Sequence, residues 1–260
     1  MLRLGKQLLE GERLEQNLEE GERWLLRAAE AGDEIAMLEL GMQLLEGERL
    51  QQDLEEGKRW LKKAAEADYK VAMLILGKEL LEGERLNQDR KKGESWLRKA
   101  AEAGYKLAML ELGMQLLEGK HLQQDLEEGK RWLKKAAEAG YKVAMLILGK
   151  QLLEGEHLQQ DVKEGEKWLR RAHAQGYALA TCELGFRLRF GYQLPMNREE
   201  GEALLKRVAN TKHVNYLSSI SRSLYLKGEF KLATEVLLLG MRFGSELSRM
   251  NLAYMIRRGE

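Results

Sequence analysis

Residues 36–65 read AMLELGMQLLEGERLQQDLEEGKRWLKKAA, and the same text returns along the chain. Residues 37–86 and 109–158 differ at only 5 of 50 positions, a 72-residue step. Beneath it lies a 36-residue step, kept by Trp24, Trp60, Trp96, Trp132 and Trp168, which are all the tryptophans. Three glycine series keep the same period, from Gly5 to Gly185, from Gly11 to Gly191 and from Gly21 to Gly201. They take 18 of the 26 glycines. A glycine content that would weaken an ordinary helical bundle therefore belongs to the repeat unit. The longer step indicates a 72-residue duplication or a designed array, and the irregular C-terminal part favours a natural protein.

Each unit reads as two helices. In one, VAMLILGKELLE over 71–82 has apolar residues at 72, 76, 80 and 81, the spacing of a helix A that Gly83 ends. After a short loop, Asp89 is placed to cap helix B. Asn17/Glu20, Asp53/Glu56, Asp125/Glu128 and Asp161/Glu164 extend that cap to a capping box, whereas Asp89 faces Lys92. Gly104, Gly140 and Gly176 close helix B in the left-handed conformation, and Asp68 takes that place once. Glycines inside helices at a fixed period imply close backbone approach, with the tryptophans filling the space beside helix B. No unit can bury its apolar stripe alone, so the expected fold is all-α, an α/α superhelical solenoid of tandem 36-residue helix pairs.

Composition restricts the function. Charged residues are 33% of the chain but nearly cancel, 43 basic against 42 acidic, for a net charge of +1. A binder that works by neutralising phosphates would carry a clear basic excess. One cysteine, Cys182, excludes an intramolecular disulfide framework. No apolar run approaches the ~20 residues of a membrane span, and the first residues lack a signal-peptide core. A reducing, cytoplasmic location is the default expectation, with no membrane partner.

The pattern Ala36-x-x-x-Leu40-Gly41-x-x-Leu44-x-x-Gly47, then Asp53, then Trp60-x-x-Lys63-Ala64-Ala65, resembles the Sel-one-like repeat family. The likeness is as strong in the next three units and extends over residues 1–215 as six repeats, the first starting inside a helix A. Two departures recur. The family's second loop glycine is Arg13, Arg49, Arg85, His121 or His157 here, and its usual alanine is Gly57 and the equivalents of Gly57. Residues 216–260 leave the period. Val214–Lys227, Phe230–Phe243 and Ser245–Arg258 read as three further helices, a degenerate tetratricopeptide-like segment. The chain begins within a helix and stops at Gly259-Glu260, where a loop would start, so both ends read as cut from a longer protein without capping repeats. The resemblance implies an adaptor or scaffold for protein complexes. It implies no catalytic residue.

In related helix-pair solenoids helix A lines the concave face, and the resemblance implies the same here. Candidate contact residues then alternate between units: Glu39 with Met42, Ile75 with Lys78, Glu111 with Met114, Ile147 with Lys150. Two readings stay open. The residues could pair between repeats, Glu39 with Lys78 and Ile75 on Met42, or they could form a mixed apolar and charged groove for an extended or helical peptide. Further along, residues 180–260 carry a net charge of +5 and all four phenylalanines. Phe186 and Phe190 flank Arg187 and lie beside Arg189, the residue types of interface anchors. Alternatively, they pack on the helices after residue 214.

Other chemistry is set aside. His121 and His157 are two imidazoles where a metal site needs three or four ligands. The paired glutamates offset helix dipoles. No phosphate loop, dinucleotide fingerprint or nucleophile elbow occurs. The sequence thus points to a non-enzymatic scaffold binding a protein or peptide partner, with no cofactor and no metal. The alternatives are a nucleic-acid-binding helical repeat and a regulatory or targeting module of a larger enzyme or toxin.

Overall fold

The 36-residue period folds as helix pairs that pack in sequence. The computed structural model describes residues 1–258; the Gly259-Glu260 stop lies outside them. The helices are α1 (Leu2–Glu10), α2 (Leu18–Glu30), α3 (Glu34–Glu46), α4 (Leu54–Glu66), α5 (Lys70–Glu82), α6 (Arg90–Glu102), α7 (Lys106–Glu118), α8 (Leu126–Glu138), α9 (Lys142–Glu154), α10 (Val162–Ala174), α11 (Ala178–Phe190) and α12 (Arg198–Val208). A 3-10 turn, Lys212–Asn215, leads to α13 (Tyr216–Leu226), α14 (Phe230–Arg242) and α15 (Glu246–Arg258). Odd-numbered helices through α11 are the A helices and even-numbered ones the B helices. The chain divides into two compact units, Met1–Trp132 and Leu133–Glu260, the division falling within α8.

In the first unit, A and B cross where two glycines meet. A Cβ on Gly41 would lie 3.0 Å from the Gly57 carbonyl oxygen, and one on Gly57 would lie 2.9 Å from that of Gly41. Gly5/Gly21 and Gly77/Gly93 repeat the crossing. The departure from alanine at Gly57 thus lets the two backbones touch. Leucines and alanines of successive helices fill the rest, from Leu45 and Leu61 to Leu97 and Leu112, all essentially inaccessible. The tryptophans are not equivalent. Trp60 and Trp132 are buried, whereas Trp24 and Trp96 are half-buried.

The caps form, with one correction. Asn17, Asp53 and Asp125 accept from the backbone N–H of Glu20, Glu56 and Glu128 at 2.8–3.0 Å. The return half of the box is not needed. The N–H of Asn17, Asp53 and Asp125 already donates to the carbonyl of Leu8, Leu44 and Leu116 on the paired A helix. The box glutamates are free for other partners: Glu20 and Glu128 accept the indole N–H of Trp24 and Trp132 at 3.3 and 3.1 Å. A further series fits the period but escapes motif reading. Gln16, Gln52, Gln88 and Gln124 donate to the last-turn carbonyls of Leu9, Leu45, Leu81 and Leu117 at 2.8–3.0 Å, tying each loop to its A helix. Asp68 adopts φ 60, as its place in the glycine series requires. Arg85, at the family's loop-glycine position, pairs with Glu79 at 3.3 Å and with Glu46 at 3.7 Å.

The second unit repeats the plan and then modifies it. Gly149/Gly165 and Gly185/Gly201 make the crossings, and Trp168 is buried. The three C-terminal helices form where the sequence places them, except that residues 214–215 belong to the 3-10 turn. Their core joins Leu217, Ile220 and Leu224 of α13 to Val236 and Leu239 of α14 and to Phe186 of α11.

Candidate functional site

Glu39, Met42, Ile75, Lys78, Glu111 and Met114 in the first unit, and Ile147 and Lys150 in the second, are all half-buried. They edge A helices whose other residues are mostly inaccessible. Between repeats the charged members pair in one direction. Lys6 Nζ lies 2.8 Å from Glu39 Oε2, and Lys78 Nζ lies 3.7 Å from Glu111 Oε2. The expected Glu39–Lys78 pair is therefore corrected: each lysine meets the glutamate 33 residues ahead. The three-residue shortfall from the period is nearly one helical turn, by which neighbouring A helices are offset. The same register places Met42 beside Ile75, and both pack at the edge of one core. Ionic and apolar steps thus alternate along the row.

Phe186, Arg187 and Phe190 do not form an exposed anchor. Phe186 and Arg187 are 1% exposed. The Phe186 ring lies 5.7 Å from that of Phe190, which is half-buried, and 5.4 Å from that of Tyr192. Arg187 donates to Glu183 and Glu154 at 2.8 Å each and also contacts Gln193. Helix α13 is the cause: its Leu217/Ile220/Leu224 stripe covers α11, so larger residues on α11 fill core rather than surface. That stripe, at helical spacing, was the available sequence signal. Lys227, just after α13, reaches Glu154 at 3.0 Å and Glu156 at 2.6 Å. Burial would raise the Glu154 carboxyl, but Lys227, Lys150 and Arg187 outweigh it and hold the group below its usual range.

Other singled-out groups are structural. Cys182 is buried, with Sγ 3.4 Å from the His213 carbonyl oxygen, and burial beside Glu183 pushes its thiol up to about 12. His173, for which sequence offers no partner, has Nδ1 2.9 Å from Thr181 Oγ1 and Nε2 3.2 Å from an Arg207 nitrogen. Among the described residues no group of three His, Cys, Asp or Glu side chains could hold a metal ion, and no helix is long and apolar enough to cross a membrane.

The period, the glycine crossings and the half-buried A-helix row together define an all-α repeat protein of tandem helix pairs. Its five N-terminal units match the Sel1 repeat, at residues 1–33, 35–69, 70–105, 106–141 and 142–177, and the chain belongs to that family. The sixth pair, α11–α12, and the C-terminal helices lie outside the matched residues. Among solved structures the chain is similar to a Sel1 repeat protein from Oxalobacter formigenes, with TM-score 0.63 and 24% identity over 81% of this chain and 84% of that one. It is also similar to a protective antigen of uropathogenic Escherichia coli strains displaying an SLR fold, with TM-score 0.69 and 25% identity over 100% of this chain and 56% of the antigen. A comparison with curated protein sequences gives no match. Repeats of this family generally mediate protein–protein interaction, and the family is a non-catalytic repeat scaffold.

Proposed function

We propose that the chain is a protein-binding scaffold that holds a peptide or protein partner along its A-helix row and catalyses no reaction. One observation carries the reading: the row is half-buried in each unit, and it alternates Met and Ile with Glu and Lys where purely structural positions are buried. Half-exposed apolar side chains flanked by ion pairs give a partner both area to cover and charges to set register. The corrected pairing favours this reading, because Lys78 at 3.7 Å from Glu111 is loosely held and can exchange partners. The lone buried thiol fits a reducing, cytoplasmic setting.

The test places a photo-crosslinking residue at Ile75, Ile147 or the exposed B-helix position Lys167, and then measures affinity for the captured protein. The expected result is capture from Ile75 and Ile147 but not Lys167, and roughly tenfold weaker binding of Ile75→Asp/Lys78→Glu with the helical content unchanged. Capture from Lys167 alone would reject the row as the site. Low-salt filter binding of RNA abolished by the same double variant would favour the nucleic-acid alternative instead.

A further inference from the structure

The B helices of neighbouring repeats are joined by a ladder with a 30-residue register. Arg98 binds Glu128 through two nitrogens at 2.5 and 2.9 Å, Lys134 reaches Glu164 at 3.6 Å, and Arg170 binds Glu200 at 2.6 and 3.3 Å. In each case a cation on one B helix meets the first-turn glutamate of the next. The same register sets Lys62 of α4 against Lys92 of α6, cation against cation. Helix α6 opens with Arg90-Lys91-Lys92 where α4 and α8 open with Leu-Glu-Glu, and it is the one B helix of the six repeats with no acidic residue in its first turn.

This step breaks three local rules together. Cations at a helix N-terminus oppose its dipole. The N3 glutamate is missing. The register that elsewhere supplies a glutamate supplies Lys62 only with another cation, Lys92. Local compensation is confined to two carboxylates. The Asp89 carboxylate caps α6 and pairs with Lys92 at 2.8 Å, and Lys92, then Lys58, holds it below its usual range. Lys62 has Glu66 at 3.3 Å, while Lys58, Arg90 and Lys91 have no ion pair among the described residues. Arg90, Lys91, Lys92 and Lys62 are exposed. Repeats that tolerate such an arrangement in one unit, and avoid it in the others, lose stability at a place where function can require it.

We propose that this surface, Lys58 and Lys62 on α4 with Arg90, Lys91 and Lys92 on α6, docks a short acidic segment of a protein partner, supplying two or three carboxylates. It lies on the B-helix row and is independent of the A-helix site. Charge complementarity identifies the occupant, and the neighbouring charges limit its length. Glu55 and Glu56 precede the surface on α4, and Glu127 and Glu128 follow it on α8. A phosphate backbone running along the row would meet these carboxylates on either side, whereas a few clustered carboxylates would not.

The test is fluorescence anisotropy of a labelled glycine–serine decamer with three consecutive glutamates at its centre, at low salt, beside the same decamer without glutamate and a single-stranded oligonucleotide. The chain is used as wild type, as Lys91→Glu/Lys92→Glu, and as Lys106→Glu/Lys142→Glu, which makes the same charge change elsewhere. Salt-sensitive binding of the glutamate peptide is expected, lost by roughly tenfold or more in Lys91→Glu/Lys92→Glu and kept in the control. Because the first variant restores the pattern of its neighbours, its melting midpoint should rise by roughly 2 °C or more. Absence of binding by wild type, equal loss in both variants, or tighter binding of the oligonucleotide would each overturn the proposal. A lower midpoint for Lys91→Glu/Lys92→Glu would overturn the argument that the cations are locally unfavourable.

Discussion

The glycine crossings allow a test in which one substitution differs in cost from unit to unit. At an exposed helical position, Gly→Ala stabilises by about 1 kcal/mol through backbone entropy. At Gly201 the added Cβ would lie 2.5 Å from Arg189 N, 2.7 Å from the Gly185 carbonyl oxygen and 2.8 Å from Arg189 Cα. All three atoms are backbone, so α12 must move away from α11. Overpacking of this kind costs typically 1–3 kcal/mol, and contact with backbone alone puts Gly201→Ala near the upper end, about 3 kcal/mol. After the helical gain, a net destabilisation of about 2 kcal/mol remains. At Gly21 the two nearest atoms are Leu9 Cδ2 and Cγ, at 2.8 and 2.9 Å, which a leucine can relieve by changing rotamer, and the Gly5 carbonyl oxygen stands further off, at 3.1 Å, than any backbone atom at Gly201. Gly21→Ala is therefore expected to be the milder change, within about 1 kcal/mol of neutral. Urea unfolding followed by far-UV circular dichroism measures both, and hydrogen exchange over 198–208 reports the local opening that repeat arrays allow. A higher midpoint for Gly201→Ala, as at an exposed site, would refute the account of the glycines as backbone contacts.

Trp60→Ala should cost about 3–5 kcal/mol, and Trp96→Ala clearly less, because Trp60 is 3% exposed and Trp96 only half-buried; paired urea midpoints would show the difference, and equal losses would contradict it. Arg187→Ala leaves Glu183 without its paired cation and takes one of two from Glu154, and should destabilise by about 3–5 kcal/mol, whereas Arg187→Met should be milder, as thermal melts of the two variants would show. Arg98 holds the Glu128 carboxyl down to about 2 from an ordinary 4.5. A carboxyl lowered on folding binds fewer protons in the folded state, so its contribution is present above about 4.5 and is lost as pH falls towards about 2. The stability gap between wild type and Arg98→Met should narrow across that window, and a gap independent of pH would remove Glu128 as the cause.

The repeat unit was legible because period is a one-dimensional property. Helix A, its glycine stop, the aspartate cap and the left-handed closure at Gly104 or Asp68 depend on neighbours within a few residues. Thirty-six-residue recurrence then reveals positions under the same constraint even without a partner in view. The series of Gln16, Gln52, Gln88 and Gln124 was equally periodic. Motif patterns do not capture it, because its bond is to a backbone carbonyl, which leaves no complementary residue to find.

The candidate site was legible only in part. Sequence placed Glu39, Met42, Ile75 and Lys78 on one helical edge, since 3.6-residue geometry settles that much. It does not supply the offset between neighbouring A helices, which brings Lys78 to Glu111 rather than to Glu39. Phe186 and Arg187 show the same division. Their residue types suit an interface or a core equally, and the arrival of α13 over α11 decided for the core. What the sequence by itself determined is each helix, its ends and the face it must bury, because these follow from local backbone and side-chain preferences. Which residue meets which across helices, and which edge stays open to a partner, only the tertiary structure decided, because the offset and coverage of packed helices are set by all their contacts at once.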